Sequence, residues 1–259
     1  MDQAYVLRSD VDGVSTLTLN RGAQYNALSM TMIETLQAAL DAIAADDSVR
    51  VVVLAGDGKA FCAGHDLKEM RSHPDKAFQQ TLFKLCGKLM LSIARLPQPV
   101  IARVHGIATA AGCQLVSMCD LAVSSDVAKF AVSGINLGLF CSTPSVGLVR
   151  NMGRKQAFEM LITGDFIDAL EAQRRGLVNR VVPLDALDAE IGRLTASIVA
   201  KSPLAVKMGK ELFYRQLEMG LDAAYQLAAE TMACNMMSGD AQEGIDAFIE
   251  KRKPSFSGK

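Results

Sequence analysis

Two small-residue stretches of this sequence combine a chain turn with unpaired backbone donors, which suits them to holding a developing negative charge. The first is Ala60-Phe61-Cys62-Ala63-Gly64-His65-Asp66-Leu67. The second is His105-Gly106-Ile107-Ala108-Thr109-Ala110-Ala111-Gly112-Cys113-Gln114-Leu115. Each follows an apolar, β-branched run that reads as a buried strand, Val49 to Ala55 and Pro99 to Val104. Each also leads into a helix, and Asp66 to Met70 begins one with an acidic residue in its first turn. N–H groups at a helix start lack intrahelical partners, and the helix dipole favours negative charge there. Two such turns on neighbouring strands can aim two N–H groups at one point, the arrangement of an oxyanion hole. Either turn alone is also compatible with glycines that only permit tight turning and close packing.

The elements that must position these turns follow from pattern. Val14 to Leu19 alternates as a strand and forms a hairpin with Tyr5 to Arg8 around Asp12-Gly13. Ser29 is placed to cap a helix carrying Ile33, Leu36, Leu40 and Ile43 at three- and four-residue spacing. Asp75 opens another, with Phe78, Leu82, Leu85, Leu89 and Ile93 on one face, closed by Pro97 and Pro99. Residues 119–123 and 130–132 read as strands, 134–143 as a loop, 157–162 and 168–175 as helices, and 177–182 as a short strand. From Ala186 onward the pattern is helical, broken at Gly220 and Ser238-Gly239. Strand–turn–helix recurs four or five times, which supports an α/β fold.

Composition narrows the function classes. The 259 residues are 50% hydrophobic, enough for a large core, and the net charge of −1 offers no field to recruit nucleic acid. No apolar run reaches the roughly 18 residues of a membrane span. Met1 to Tyr5 lacks the basic and apolar blocks of a signal peptide, and the six cysteines include no Cys-x-x-Cys pair. Reduced thiols in a cytoplasmic protein are therefore expected. No metal-binding, nucleophile-elbow or phosphate-loop motif occurs. Gly56-Asp57-Gly58-Lys59 reads as a turn that lacks the last glycine of a dinucleotide fingerprint.

Residues 60–67 and 105–115, with Asn26-Ala27-Leu28, Glu159 to Gly164 and Glu243 to Arg252, resemble the enoyl-CoA hydratase/isomerase (crotonase) superfamily in its own order. Gly64 to Glu69, Ala108 to Gln114 and Gly138 to Pro144 look most like its subgroup called enoyl-CoA hydratase domain-containing protein 3. The resemblance implies a spiral of repeated ββα units over residues 1–200, and a C-terminal helical region, 201–259, that packs subunits into a homotrimer or a dimer of trimers and completes the CoA site. It implies an acyl-CoA thioester as substrate, with coenzyme A as part of it and no other cofactor or metal.

Carried over position by position, the resemblance makes the amides of His65 and Ala111 the oxyanion donors to a thioester carbonyl. Ala27, Leu28, Ala63, Gly64, Asp66 and Leu67 line the CoA cleft, although core packing accounts equally for the apolar ones. Phe248 and Lys251 match positions that reach a neighbouring subunit's CoA, the cation meeting phosphate; a solvated tail is the other reading. The two glutamates of the family's hydratases fall at Gln114 and Gly134. A glutamine amide does not exchange protons near neutral pH and glycine has no side chain, so ordinary hydration is not expected. Ser142 falls where some family isomerases carry an acid, and Cys141 adjoins it. The expectations are thus an acyl-CoA enzyme working through the backbone hole, nominally a hydratase; another acyl-CoA reaction (hydrolase, decarboxylase or isomerase); or a non-catalytic acyl-CoA binder. Asp120 is expected as a structural cap, His105 in a local turn hydrogen bond, His73 exposed, and the remaining cysteines buried.

Overall fold

The computed structural model describes residues 4–259; Met1 to Gln3, part of the N-terminal reading above, lie outside the described residues. The chain opens with a hairpin of β1 (Val6–Val11) and β2 (Val14–Leu19), in which Val11 faces Val14 across the turn. Ser15, Leu17 and Leu19 of β2 point inward, as their alternation requires. Ser29 caps α1 (Met30–Ala44) by accepting from the Met32 amide, and Ile33, Leu36, Leu40 and Ile43 are buried as one stripe.

The spiral then begins. Strand β3 (Val51–Gly56) joins the first sheet, β4 (Ala60–Cys62) starts a second, and helices α2 (Leu67–Ser72) and α3 (Lys76–Arg95) follow. The same step repeats as β5 (Val100–Val104), β6 (Ile107–Thr109) and α4 (Ala111–Met118). It repeats again as β7 (Leu121–Ser125) and β8 (Lys129–Ala131), before α5 (Ser142–Asn151) and α6 (Arg154–Thr163). β9 (Ile167–Asp168), α7 (Ala169–Arg174) and β10 (Arg180–Val182) complete it. The large sheet runs β1-β2-β3-β5-β7-β10, parallel from β2 onward, and the small one β4-β6-β8-β9. Because β4, β6 and β8 are parallel neighbours, the turns that leave β4 and β6 emerge side by side.

The main core fills the space between the sheets and helices α1, α3 and α4. A second cluster lies on the other face of the large sheet. There Val51, Val53, Ile101 and Val123 meet Leu187 and Ile191 of α8 (Leu187–Val199). Helices α9 (Pro203–Gln216), α10 (Leu221–Met236) and α11 (Gly239–Ile249) end the chain. The first docks through a buried polar cluster. Lys210 Nζ donates to Asp120 Oδ2 at 2.6 Å and to the Ile93 and Gln98 carbonyls at 3.0 Å, and Tyr214 donates to Asp120 Oδ1 at 2.8 Å. Asp120 also accepts from the Val100 amide, so the expected cap is the anchor of the C-terminal region.

Several expectations need correction. Residues 60–62 and 107–109 are strands rather than parts of turns; three residues are too few to show alternation. The 3-10 helix Ser133–Leu137 takes up the start of the loop expected over 134–143, and α5 begins at Ser142 within its end. Ser202-Pro203 breaks the helical run, with Ser202 as cap. His105 bonds the Gly58 carbonyl at 2.9 Å, not a neighbour in its own turn, and Cys234 is exposed. Replacing Lys210 with Met leaves the Asp120 carboxylate buried beside α9 without its cation. It should cost about 3–5 kcal/mol in urea unfolding, with α9 protection from hydrogen exchange lost first.

Candidate active site

Gly64 stands where the first turn meets α2, at φ +93°, and its missing side chain is what lets the two turns touch. A Cβ there would lie 2.8 Å from the Ala110 Cβ, 3.2 Å from the Ala111 nitrogen and 3.2 Å from the Thr109 oxygen. The residue before Ala111 is strained in turn: Ala110 has φ 51° and ψ −121°, the first central position of a type II′ turn, where glycine is preferred. That conformation ends β6 while the Ala110 amide still donates to the Ala131 carbonyl at 3.0 Å, and it turns the Ala111 N–H out of the sheet. Gly112 packs against the Cys62 carbonyl so closely that any Cβ would collide with it. Helix α4 therefore rests directly on the backbone of β4.

The first turn is held from the other side by residues 25–28. Leu28 pairs with His65 in a parallel bridge: its amide donates to the Gly64 carbonyl at 2.8 Å and its carbonyl accepts from Asp66 at 3.3 Å. The Ala63 amide donates to Tyr25, and Asp66 caps α2 through the Lys68 and Glu69 amides. Buried Asn26 fixes the segment: its Nδ2 donates to the carbonyls of Asp57, Ala60 and Phe61 at 2.8, 2.9 and 3.1 Å, and its Oδ1 accepts from Arg21. Among the described residues neither the His65 amide nor the Ala111 amide meets a protein acceptor. Two unpaired donors on abutting turns are the arrangement an oxyanion requires.

The carboxylates nearest these amides, Asp66 and Glu69, are engaged by backbone N–H groups, and the other side chains around them are uncharged. Gln114 is 3% exposed, with Oε1 against the Cys86 thiol of α3 at 4.0 Å. Burial pushes Cys62, Cys86 and Cys113 up to about 12 and raises Cys141, so all stay protonated. The imidazole of His65 packs edge-on against Phe83 (5.3 Å) with Nδ1 3.3 Å from the Leu28 carbonyl, and its Nε2 is buried without a partner. Burial lowers its pKa below the ordinary 6.5 and keeps it neutral. The hydroxyls of Thr109 and Ser133 bond each other at 2.9 Å. At Gly134 a Cβ would lie 2.7 Å from both the Leu139 oxygen and Cys141 Sγ, so the position cannot receive a glutamate without moving the loop. Ser142 is exposed, its hydroxyl turned to the Phe140 carbonyl. Among the described residues no group of three or more His, Cys, Asp or Glu could hold a metal ion.

The structure thus brings Ala63, Gly64, His65, Asp66, Ala111 and Gln114 together with Ala27 and Leu28; Leu67 opens α2 and is exposed. Phe248 and Lys251 stand apart, at the end of α11, which packs on α9 and α10; Phe248 is 84% exposed. Sequence reasoning missed the Asn26 triple contact, the strain at Ala110 and the Thr109–Ser133 pair. The first had a signal in the Asn-Ala-Leu run, since asparagine tolerates the positive φ (54°) found there.

The chain with this fold belongs to the enoyl-CoA hydratase/isomerase family, whose sequence pattern matches residues 10–259. Within it the chain is similar to the enoyl-CoA hydratase domain-containing protein 3 subgroup. It is 46% identical over 245 residues to the mitochondrial protein of that name from Xenopus laevis, covering 95% of this chain and 83% of that one. The crystal structure of the human protein of that name superposes with a TM-score of 0.95 at 42% identity, covering 97% of this chain and all of that one. A Mycobacterium smegmatis enoyl-CoA hydratase superposes at 0.97 with 60% identity, covering 98% of this chain and 99% of that one.

Two outcomes test the site's construction. Gly64→Ala should separate the turns and cost about 2–4 kcal/mol in chemical unfolding, from left-handed strain and overpacking together. His65 is neutral when folded, so on acidification the unfolded chain takes up the proton first. Stability is lost as pH falls below about 6.5, and His65→Gln should flatten that slope in urea titrations between about pH 5 and 7.5.

Proposed function

We propose that this protein holds an acyl-CoA thioester with its carbonyl oxygen between the amides of His65 and Ala111, and uses that hole to stabilise an enolate or tetrahedral anion. The observation that carries the reading is the 3.2 Å approach of the Gly64 Cβ position to the Ala111 nitrogen, with both amides unpaired among the described residues. Ala27, Leu28, Ala63, Gly64, Asp66 and Leu67 form the CoA cleft in this reading, and coenzyme A enters only as part of the substrate. Loss of one backbone donor in such a hole typically costs about 10²–10³ in rate.

The nominal hydratase reaction is not supported by the side chains. General acid–base groups contribute typically about 10²–10⁴-fold each, and neither Gln114 nor Gly134 can give up or accept a proton near neutral pH. The family's fatty-acid chemistry is therefore proposed here as thioester chemistry in general. The second reading is a non-catalytic acyl-CoA binder, favoured by the same two positions.

The C-terminal region, 201–259, is proposed as a subunit-joining unit, in a trimer or a dimer of trimers. Helix α10 buries none of its residues within the chain, and Leu221, Tyr225, Met232 and Phe248 are exposed together on α10 and α11. Phe248 and Lys251 reach CoA in this reading only across a subunit boundary. A reducing compartment, cytoplasmic in the simplest case, suits five buried free thiols.

Calorimetry and turnover with purified protein separate the readings. CoA esters should bind, and at least one of crotonyl-, malonyl- and butyryl-CoA should be converted; binding without conversion leaves the binder. Gln114→Glu alone should raise crotonyl-CoA hydration above the parent, and no gain in a folded variant would argue against the placement of the acyl group. Sedimentation should give a trimer or a multiple of it.

A further inference from the structure

The positions flanking the two amides define a site with donors and no base. Thr109 immediately precedes the strained turn, and its carbonyl oxygen lies 3.2 Å from the Gly64 Cβ position. It pairs in register with Ala131, two residues before Ser133, which brings the two hydroxyls to 2.9 Å. Neither hydroxyl makes another hydrogen bond among the described residues. Two hydroxyls carry two hydrogens; one is used between them and one remains to be donated. Gln114 lies one turn into α4 from Ala111, and Gly134 adjoins Ser133. Nearby acids are committed elsewhere: Asp66 caps α2, and Glu69 accepts from the Met30 amide at 3.0 Å.

We propose that the substrate is a malonyl-type acyl-CoA, bearing a free carboxylate on the carbon next to the thioester, and that the site removes this carboxylate as carbon dioxide while the Thr109–Ser133 pair receives it. This rests on the acyl-CoA reading above and selects one reaction within it. Hydration, isomerisation and hydrolysis all require a side chain that takes a proton from water or carbon. Decarboxylation requires none. The bond between the α-carbon and the carboxylate breaks, and its electron pair moves into the enolate. The enolate oxygen is held by the His65 and Ala111 amides, and carbon dioxide leaves. The α-carbon then takes a proton from water, and the hydroxide so formed is neutralised by solvent. A carboxylate at position 114 would repel the substrate's own charge; the glutamine there does not.

The buried thiols serve the same end. Cys86 Sγ stands 4.0 Å from Gln114 Oε1 and Cys141 Sγ 2.7 Å from the Gly134 Cβ position, and burial keeps both thiols protonated, so neither adds a negative charge beside the leaving carboxylate. The imidazole nitrogen nearest the paired amides, His65 Nε2, is buried against Phe83 rather than open to a substrate, and His105 Nε2 is bonded to the Gly58 carbonyl.

The test uses the full chain with malonyl-CoA, methylmalonyl-CoA and butyryl-CoA in deuterated water, read by mass spectrometry and by calorimetric binding. Loss of carbon dioxide from the two carboxylated esters, with one solvent deuterium at the α-carbon of the product, is the expected result. Thr109→Val with Ser133→Ala should lower kcat/KM on malonyl-CoA at least tenfold while butyryl-CoA binding changes less than threefold; a merely structural role would impair both. Gln114→Glu should lower decarboxylation as well. Carboxylated esters that bind and return unchanged overturn this proposal and leave the acyl-CoA reading standing. Equal turnover by the hydroxyl variant overturns the role of the pair. Deuterium entering butyryl-CoA at a comparable rate would identify a working base and overturn the base-free route. Absence of binding by every ester overturns both readings together.

Discussion

The contact on which the rest depends is backbone against backbone: Gly64 against Ala110 and Ala111, and Gly112 against the Cys62 carbonyl. Two main-chain amides can share one acceptor only if their segments approach more closely than side chains allow, which is why the abutting positions are glycine or alanine. The parallel pairing of β4 with β6 places the two turns on the same edge, and the ββα step supplies that pairing automatically. The strain at Ala110 is tolerated because β6, β8 and α4 over-determine its conformation.

The C-terminal helices are attached by different physics. A lysine, a tyrosine and an aspartate, all largely buried, join α9 to the loop ends beneath β5 and β7. A buried ion pair adds little net stability over an apolar contact, but it specifies register, because either partner misplaced is an uncompensated charge. Beyond that anchor the chain has little to bury. The exposed apolar residues of α10 and α11 form the surface assigned to subunit joining in the proposed reading.

Much of this was legible in the sequence, and what was not has physical causes. Periodicity located α1 and α3 through Leu36, Leu40, Leu82 and Leu89, because long amphipathic helices repeat their stripe several times. Ser29, Asp66 and Asp75 marked helix starts, and all three accept the hydrogen bonds of caps. The short strands β4 and β6 left no such trace. Their burial comes from neighbours distant in sequence, and three residues give a period of two no room to repeat. The pairing of the turns came from resemblance, since nothing in either stretch names the other. Side-chain roles were the least legible. Gln114 and Gly134 stood out as departures, yet only coordinates show that Gly134 is also filled by the Leu139 carbonyl and the Cys141 sulfur.

That last point bears on chemistry. A backbone oxyanion hole is indifferent to reaction: it lowers the energy of a negatively charged oxygen whatever the source of the electrons. What distinguishes one thioester reaction from another is which bond supplies the electron pair and which group takes the proton. Where two carboxylates stand beside the hole, water or a C–H bond can supply it. Here those positions hold an amide and a glycine with no space to spare, the thiols are held protonated, and the imidazole is closed off. In the proposed reading the protein keeps the stabilisation of the anion and lacks the means of making it by deprotonation. On that reading the electron pair comes from the substrate itself or not at all, and the occupants of 109, 114, 133 and 134 are the residues that separate those two cases.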